Sequence, residues 1–146
     1  MGIRRQGREI AVQTLYSLEF LRQNLQLEES ELTDKLTEIS KDKKIKDDTK
    51  IFEFASDILI NLNSNIYEID KKIKKHSTNW SFDRIAKLDL SILRIATYEM
   101  LYTETAPAII MNEAIEIAKK YCSESSGKFI NGVLNAIAEE LNEKKD

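Results

Sequence analysis

The sequence predicts an all-α protein, and three observations carry that reading. Four glycines and one proline in 146 residues fall far below the roughly 12% of average chains, too few to turn the short strands of a β-sandwich. Apolar residues recur at steps of three and four through most of the chain, the repeat of a helix with one buried face. No stretch carries a defensible alternation of apolar and polar residues, which a half-buried strand needs.

The elements follow in order. From Arg4 to about Arg22, Ala11, Leu15 and Leu18, flanked by Val12 and Leu21, predict a first helix. After a polar stretch with Asn24, Leu32, Leu36 and Ile39 predict a short second one, with Glu28, Glu29 and Glu31 at its positive end. Lys41 to Lys50 is a charged run around Ile45, expected to be a solvated loop of variable length or order. Ile51, Ala55, Ile58, Leu62, Ile66, Ile69 and Ile73 hold the longest stripe and predict one central helix. It runs through Lys71, Lys72, Lys74 and Lys75 to His76, where Ser77, Thr78 and Asn79 favour a stop.

Trp80 and Phe82 bracket Ser81, a cap candidate, and Ile85, Leu88, Ile92, Ala96 and Met100 mark one helix or a broken pair. Asp89 falls inside that stripe, where an unpaired carboxylate would cost several kcal/mol. It therefore caps a second helix at a kink, pairs with a buried base, or faces a partner. Pro107 suits a first helical turn, with Ile110, Ala114, Ile117, Ala118 and Tyr121 behind it. Ser123 to Gly127 connect to a last helix lined by Ile130, Leu134, Ile137 and Leu141. Gly132 costs that helix about 1 kcal/mol relative to alanine, so a close helix contact or a close ligand is expected there. The reading is six or seven helices in one domain over 1–146.

Composition narrows function. No apolar run reaches the roughly 18 residues of a membrane span, and Met1 to Arg8 is not followed by an export signal's apolar core, so a cytoplasmic protein is expected. Cys122 and His76 are each the only residue of their kind. Together with the lack of a phosphate loop, a metal-ligand spacing or a nucleophile elbow, this predicts no enzyme, no metal and no cofactor. Net charge is −3, yet Arg4, Arg5 and Arg8 cluster within two turns. On a helix starting near Arg4 they would present three guanidinium groups over one side, a usable phosphate clamp.

The order of residues goes further. Arg4-Arg5-Gln6-Gly7-Arg8-Glu9 followed by Ala11-Val12-Gln13-Thr14-Leu15-Tyr16 resembles the opening helix of the NusB transcription antitermination factors. Leu93-Arg94-Ile95-Ala96 with Tyr98-Glu99, then Asn112-Glu113-Ala114-Ile115-Glu116-Ile117-Ala118-Lys119, then Lys128-Phe129-Ile130-Asn131-Gly132-Val133-Leu134 resemble that family's later motifs, in order. Only Asn24 to Lys50 matches poorly.

The resemblance implies two small helical bundles that bind the single-stranded boxA element of nascent RNA together with ribosomal protein NusE. With other Nus factors and RNA polymerase the pair would suppress premature termination, notably in rRNA operons. Arg4, Arg5, Arg8, Lys74, Lys75, His76 and Lys128 are then phosphate candidates, with Phe129 and Asn131 as base contacts. Phe129 could equally be a core-edge aromatic, and Asn131 could cap or cross-link helices. Tyr16, Asp83, Asp89 and Ser125 match the family's partner-facing positions; Ser125 stands where some relatives carry a carboxylate, and Tyr16 could be plain core. The rival reading is a helical adapter that binds protein and no RNA, and a homodimer that covers the basic face is a further possibility.

Overall fold

A computed structural model describes residues 2–18, 27–46, 49–77 and 81–145 of the chain. Seven α-helices run through these residues: α1 (Ile3–Ser17), α2 (Glu29–Asp42), α3 (Lys50–Ser64), α4 (Ile66–His76), α5 (Lys87–Tyr102), α6 (Pro107–Tyr121) and α7 (Glu124–Lys145). A 3₁₀ turn, Phe82–Arg84, precedes α5. No strand occurs among the described residues.

The helices form two bundles. α1, α2 and α3 pack on one another, α4 to α7 pack on one another, and α5 joins the halves by also touching α1 and α3. Every residue from Asp89 to Met100 is buried, because Leu88 to Leu101 is apolar on most sides, the signature of an enclosed helix. The central helix is therefore α5 rather than the 51–73 stripe.

That stripe is two helices, α3 and α4, broken at Asn65. The side chains of Asn61, Ser64 and Asn65 donate to carbonyls four residues back, bonds that loosen and bend a helix. Asn63 is buried and clasps Leu27, accepting from its N–H at 3.0 Å and donating to its carbonyl at 2.7 Å. The amide thus ties α3 to the segment entering α2.

α1 runs to Ser17, where the Leu18 N–H bonds back to Thr14 and Leu15; Leu21, Arg22 and Asn24 lie outside the described residues. α2 starts in a capping box between Glu28 and Glu31 and runs to Asp42, inside the stretch expected to be loop. Ile45 is half-buried against the core. Thr78, Asn79 and Trp80 are outside the described residues, and the Ser81 side chain makes no cap bond. α1 packs tightly on α3 at Gly7, where an added Cβ would lie 2.6 Å from the Phe54 ring. At Gly132 nothing lies within 4 Å of such a Cβ, so the expected close helix contact is absent and the residue sits on an open crest.

Candidate nucleic-acid interface

The amino-terminal arginines separate by depth. Arg4 is exposed, with its guanidinium 5.9 Å from the Phe54 ring centroid. Arg5 is 30% exposed and bonds to Glu113 of α6. Arg8 is only 3% exposed: its Nε donates to Glu99 at 2.9 Å and a terminal nitrogen donates to the other oxygen at 2.9 Å. Arg8 is therefore a core cation rather than a phosphate clamp. The physical reason is that α1 is enclosed from Gly7 to Val12 by α2, α3 and α5, so a residue one turn beyond Arg4 passes under α5.

A polar row ties α1 to α6. Lys120 Nζ and the Tyr121 hydroxyl both donate to Glu9 Oε1 at 2.7 Å, and Gln13 reaches the Tyr121 oxygen at 3.4 Å. Burial pushes the Glu9 carboxyl up, but these two bonds outweigh it and hold the group below its ordinary value. Beside the row runs a groove of about 270 Å³, lined by Arg5, Glu9, Glu116, Ile117, Lys119 and Lys120.

A second groove, about 560 Å³, lies between α6 and α7, with Lys119, Cys122, Ser123, Lys128 and Asn131 among its lining residues. Lys119 lines both grooves, so Arg5, Lys119, Lys120 and Lys128 follow one track with Asn131 at its edge; Glu9, Glu116 and Glu124 are interspersed, and Arg5 pairs with Glu113, Lys119 with Glu116 at 3.4 Å and Lys120 with Glu9. Lys119 and Lys120 were not among the sequence-expected residues. Two lysines in the last turn of a helix read first as a complement to its dipole, and nothing local says that the turn abuts α1 and α7.

Lys74, Lys75 and His76 lie on another flank. Lys72, Lys75 and His76 converge on Glu140 of α7, with Lys75 donating at 3.0 Å, and the Lys74 ammonium sits 4.8 Å from the Phe82 ring centroid. Bonds from Lys72 and His76, then Lys75, hold the Glu140 carboxyl well below the usual carboxylate range. At 100° per residue Phe129 points within about 20° of Glu140 and about 100° from Lys128. Phe129 is half-buried against the core, as the edge-aromatic reading allows. It shares the angular side of Glu140 but lies about 16 Å nearer the start of α7, whereas Lys128 and Asn131 line the α6–α7 groove.

The expected partner-facing residues lie on four elements: Tyr16 near the end of α1, Asp83 in the 3₁₀ turn, Asp89 at the start of α5 and Ser125 at the start of α7. Tyr16 is 50% exposed, so it is not core, and it follows Gln13 toward Tyr121. Asp83 is exposed in the 3₁₀ turn. Ser125 is exposed beside Ser123, whose Oγ accepts the Ser126 N–H at 3.2 Å and so caps α7. Asp89 differs: it is only 6% exposed. α5 begins at Lys87, past Ile85, which places Asp89 in the first turn, where a carboxylate complements the helix dipole. Its side chain meets the Cys122 thiol, which burial, with Asp89 adding, pushes up to about 12. Asp89 is thus a buried helix-start residue rather than an exposed partner contact.

Among the described residues no helix is long and apolar enough to cross a membrane, and no three His, Cys, Asp or Glu side chains are grouped to hold a metal ion.

Comparison with known proteins places this geometry. Residues 5–139 match the model of the NusB family. The transcription antitermination protein NusB of Geobacter sp. strain M21 is 38% identical over 146 residues, 99% of this chain and 100% of that protein. The NusB of Fervidobacterium nodosum is 41% identical over 138 residues, 94% and 91% of the two chains. Among solved structures, T. maritima NusB superimposes with a TM-score of 0.79 at 36% identity, covering 94% of this chain and 91% of that one. NusB from a crystal structure of antitermination factors NusB and NusE in complex with dsRNA gives 0.81 at 28% identity, covering 96% and 98%. From its first helix to its last, this chain belongs to the NusB family of transcription antitermination proteins.

Proposed function

We propose that the chain binds single-stranded boxA RNA together with ribosomal protein NusE and thereby suppresses premature termination, notably in rRNA operons. The observation that carries this reading is the track in which Lys119 links the α1–α6 groove to the α6–α7 groove. An unpaired strand is held by cations spaced along its backbone, with polar or aromatic groups at the bases. Arg5, Lys119, Lys120 and Lys128 supply the first kind of group, and Asn131 the second; Arg4, whose guanidinium lies against Phe54, stands off this track. Lys74, Lys75, His76 and Phe129 form a separate flank that the same RNA reaches by crossing α7. Tyr16, Asp83 and Ser125 form the protein-facing end, where Asp83 meets a basic ribosomal protein; Asp89 supports that end from beneath. A relative crystallised with NusE and dsRNA supports both partner classes for this fold. Action in the cytoplasm beside RNA polymerase and other Nus factors belongs to the same proposal.

Fluorescence anisotropy with labelled boxA RNA, a base-paired version of it, and each with added NusE tests the reading. The expected result is binding of the unpaired strand, strengthened by NusE. The adapter reading is favoured by the internal pairing of Arg8 with Glu99 and of Arg5 with Glu113. It is supported instead if NusE binds and no RNA does under either condition. Light scattering with and without RNA shows whether a homodimer covers the track.

A further inference from the structure

The carboxyl end of α5 carries a surface whose chemistry is opposite to that of the cationic track. Tyr98 and Tyr102 stack there, one turn apart, with ring centroids 5.9 Å apart and 26° between planes. A groove of about 530 Å³ runs beside Tyr98, with Asp57, Ile58, Glu104 and Ile109 among its lining residues. Ile109 is 54% exposed at the groove and Tyr102 43% exposed behind Tyr98, while Tyr98 at 6% and Ile58 at 3% form the groove's floor; exposed apolar groups beside a groove mark interaction sites.

Carboxylates surround this apolar patch. Burial raises the Tyr98 phenol, with Glu99 and then Asp57 adding to it, and burial with Glu68 raises that of Tyr102. Among the described residues Asp57, Glu68 and Glu104 take part in no ion pair. Glu99 also lines the groove but is neutralised by Arg8, and Arg4 stands at the α1 end.

We infer that this groove is a second protein-docking surface, which takes a partner segment presenting lysine or arginine next to an apolar side chain. The apolar group buries against Ile58 and Ile109. The cation lies over a tyrosine face and between Asp57 and Glu104, gaining both cation–π and charge complementarity. RNA is disfavoured, because its phosphates would face carboxylates. A second copy of this chain is disfavoured as well, because two-fold pairing sets the same acidic patch against itself. Tyr102 lies thirteen residues along α5 from Asp89, about 20 Å at 1.5 Å per residue, so a partner here and a ribosomal protein at the Tyr16–Asp83 end can bind together.

The test is an NMR titration of the ¹⁵N-labelled full chain with a short amidated peptide alternating lysine and leucine, and with its glutamate–leucine counterpart. The expected result is saturable shifts at Asp57, Tyr98, Glu104 and Ile109 with the basic peptide only. The D57K/E104K variant, on exposed positions, should keep its melting temperature and its RNA affinity while binding the peptide about tenfold more weakly. Shifts gathered at Asp83 and Ser125, equal shifts with both peptides, unchanged binding by D57K/E104K, or boxA RNA titrating this groove would each overturn the inference.

Discussion

Arg8→Ala separates the two roles that the sequence allows this arginine. Arg8 and Glu99 are each 3% exposed, joined by two charge-assisted bonds of 2.9 Å, with the guanidinium also 5.3 Å from the Phe54 ring centroid. Removing one member of such a pair leaves a buried charge alone and costs about 3–5 kcal/mol. For a chain of this size that is a fall in Tm of about 10 °C. Differential scanning calorimetry reads the stability. Anisotropy against salt reads phosphate contacts, and the slope of log affinity on log salt should not change. Arg8→Met combined with Glu99→Leu should recover most of the loss, since apolar groups of similar volume replace buried pairs well. A variant that melts like the wild type while its slope flattens by about 0.7 would put Arg8 on a phosphate and refute the reasoning.

Three further outcomes follow from the geometry. Gly132→Ala should stabilise the chain by about 1 kcal/mol in thermal melts, since the added Cβ meets nothing within 4 Å; a loss of RNA affinity in the same variant would mean that a nucleotide lies on the bare backbone. Asp89→Asn should destabilise the chain by roughly 0.3–1 kcal/mol, the worth of a helix-start carboxylate, and should speed alkylation of the Cys122 thiol at pH 8. Wild-type Cys122 reacting like free cysteine would contradict its shielded state. Glu140→Gln should melt a few degrees lower at neutral pH. The Glu140 pKa is depressed in the folded state, so its stabilisation is present above about pH 4 and lost on acidification, and the gap between the two melting curves should close below that pH.

The sequence carries the helices well and their mutual placement poorly. Stripes at three and four steps mark each of the seven, yet Leu62, Ile66, Ile69 and Ile73 keep phase across Asn65, so periodicity alone cannot show that α3 ends there. The centrality of α5 is legible in part, because Leu88, Leu90, Ile92, Leu93, Ile95 and Met100 spread apolar groups around most of its circumference, leaving the Lys87–Ser91–Arg94–Tyr98 line as its polar stripe. Arg8 misleads because its partner is 91 residues away and helical spacing reports direction around an axis, not depth beneath a neighbour. Two resemblance motifs prove to be architectural in part: Glu99 holds Arg8, and Arg94 forks onto Asp70 with two bonds of 2.8 Å. Lys119 shows the opposite case, an ordinary helix-end lysine made prominent only because α1 and α7 approach it from both sides.

The most direct test of the account is the salt dependence of boxA affinity for Lys119→Ala/Lys128→Ala against wild type. If each lysine neutralises one phosphate of an unpaired strand, the slope of log affinity on log salt should flatten by about 1.4, at roughly 0.7 per contact, with Tm unchanged because both side chains are exposed. An unaltered slope at unaltered stability would take the α6–α7 groove out of the RNA path and contradict the central claim.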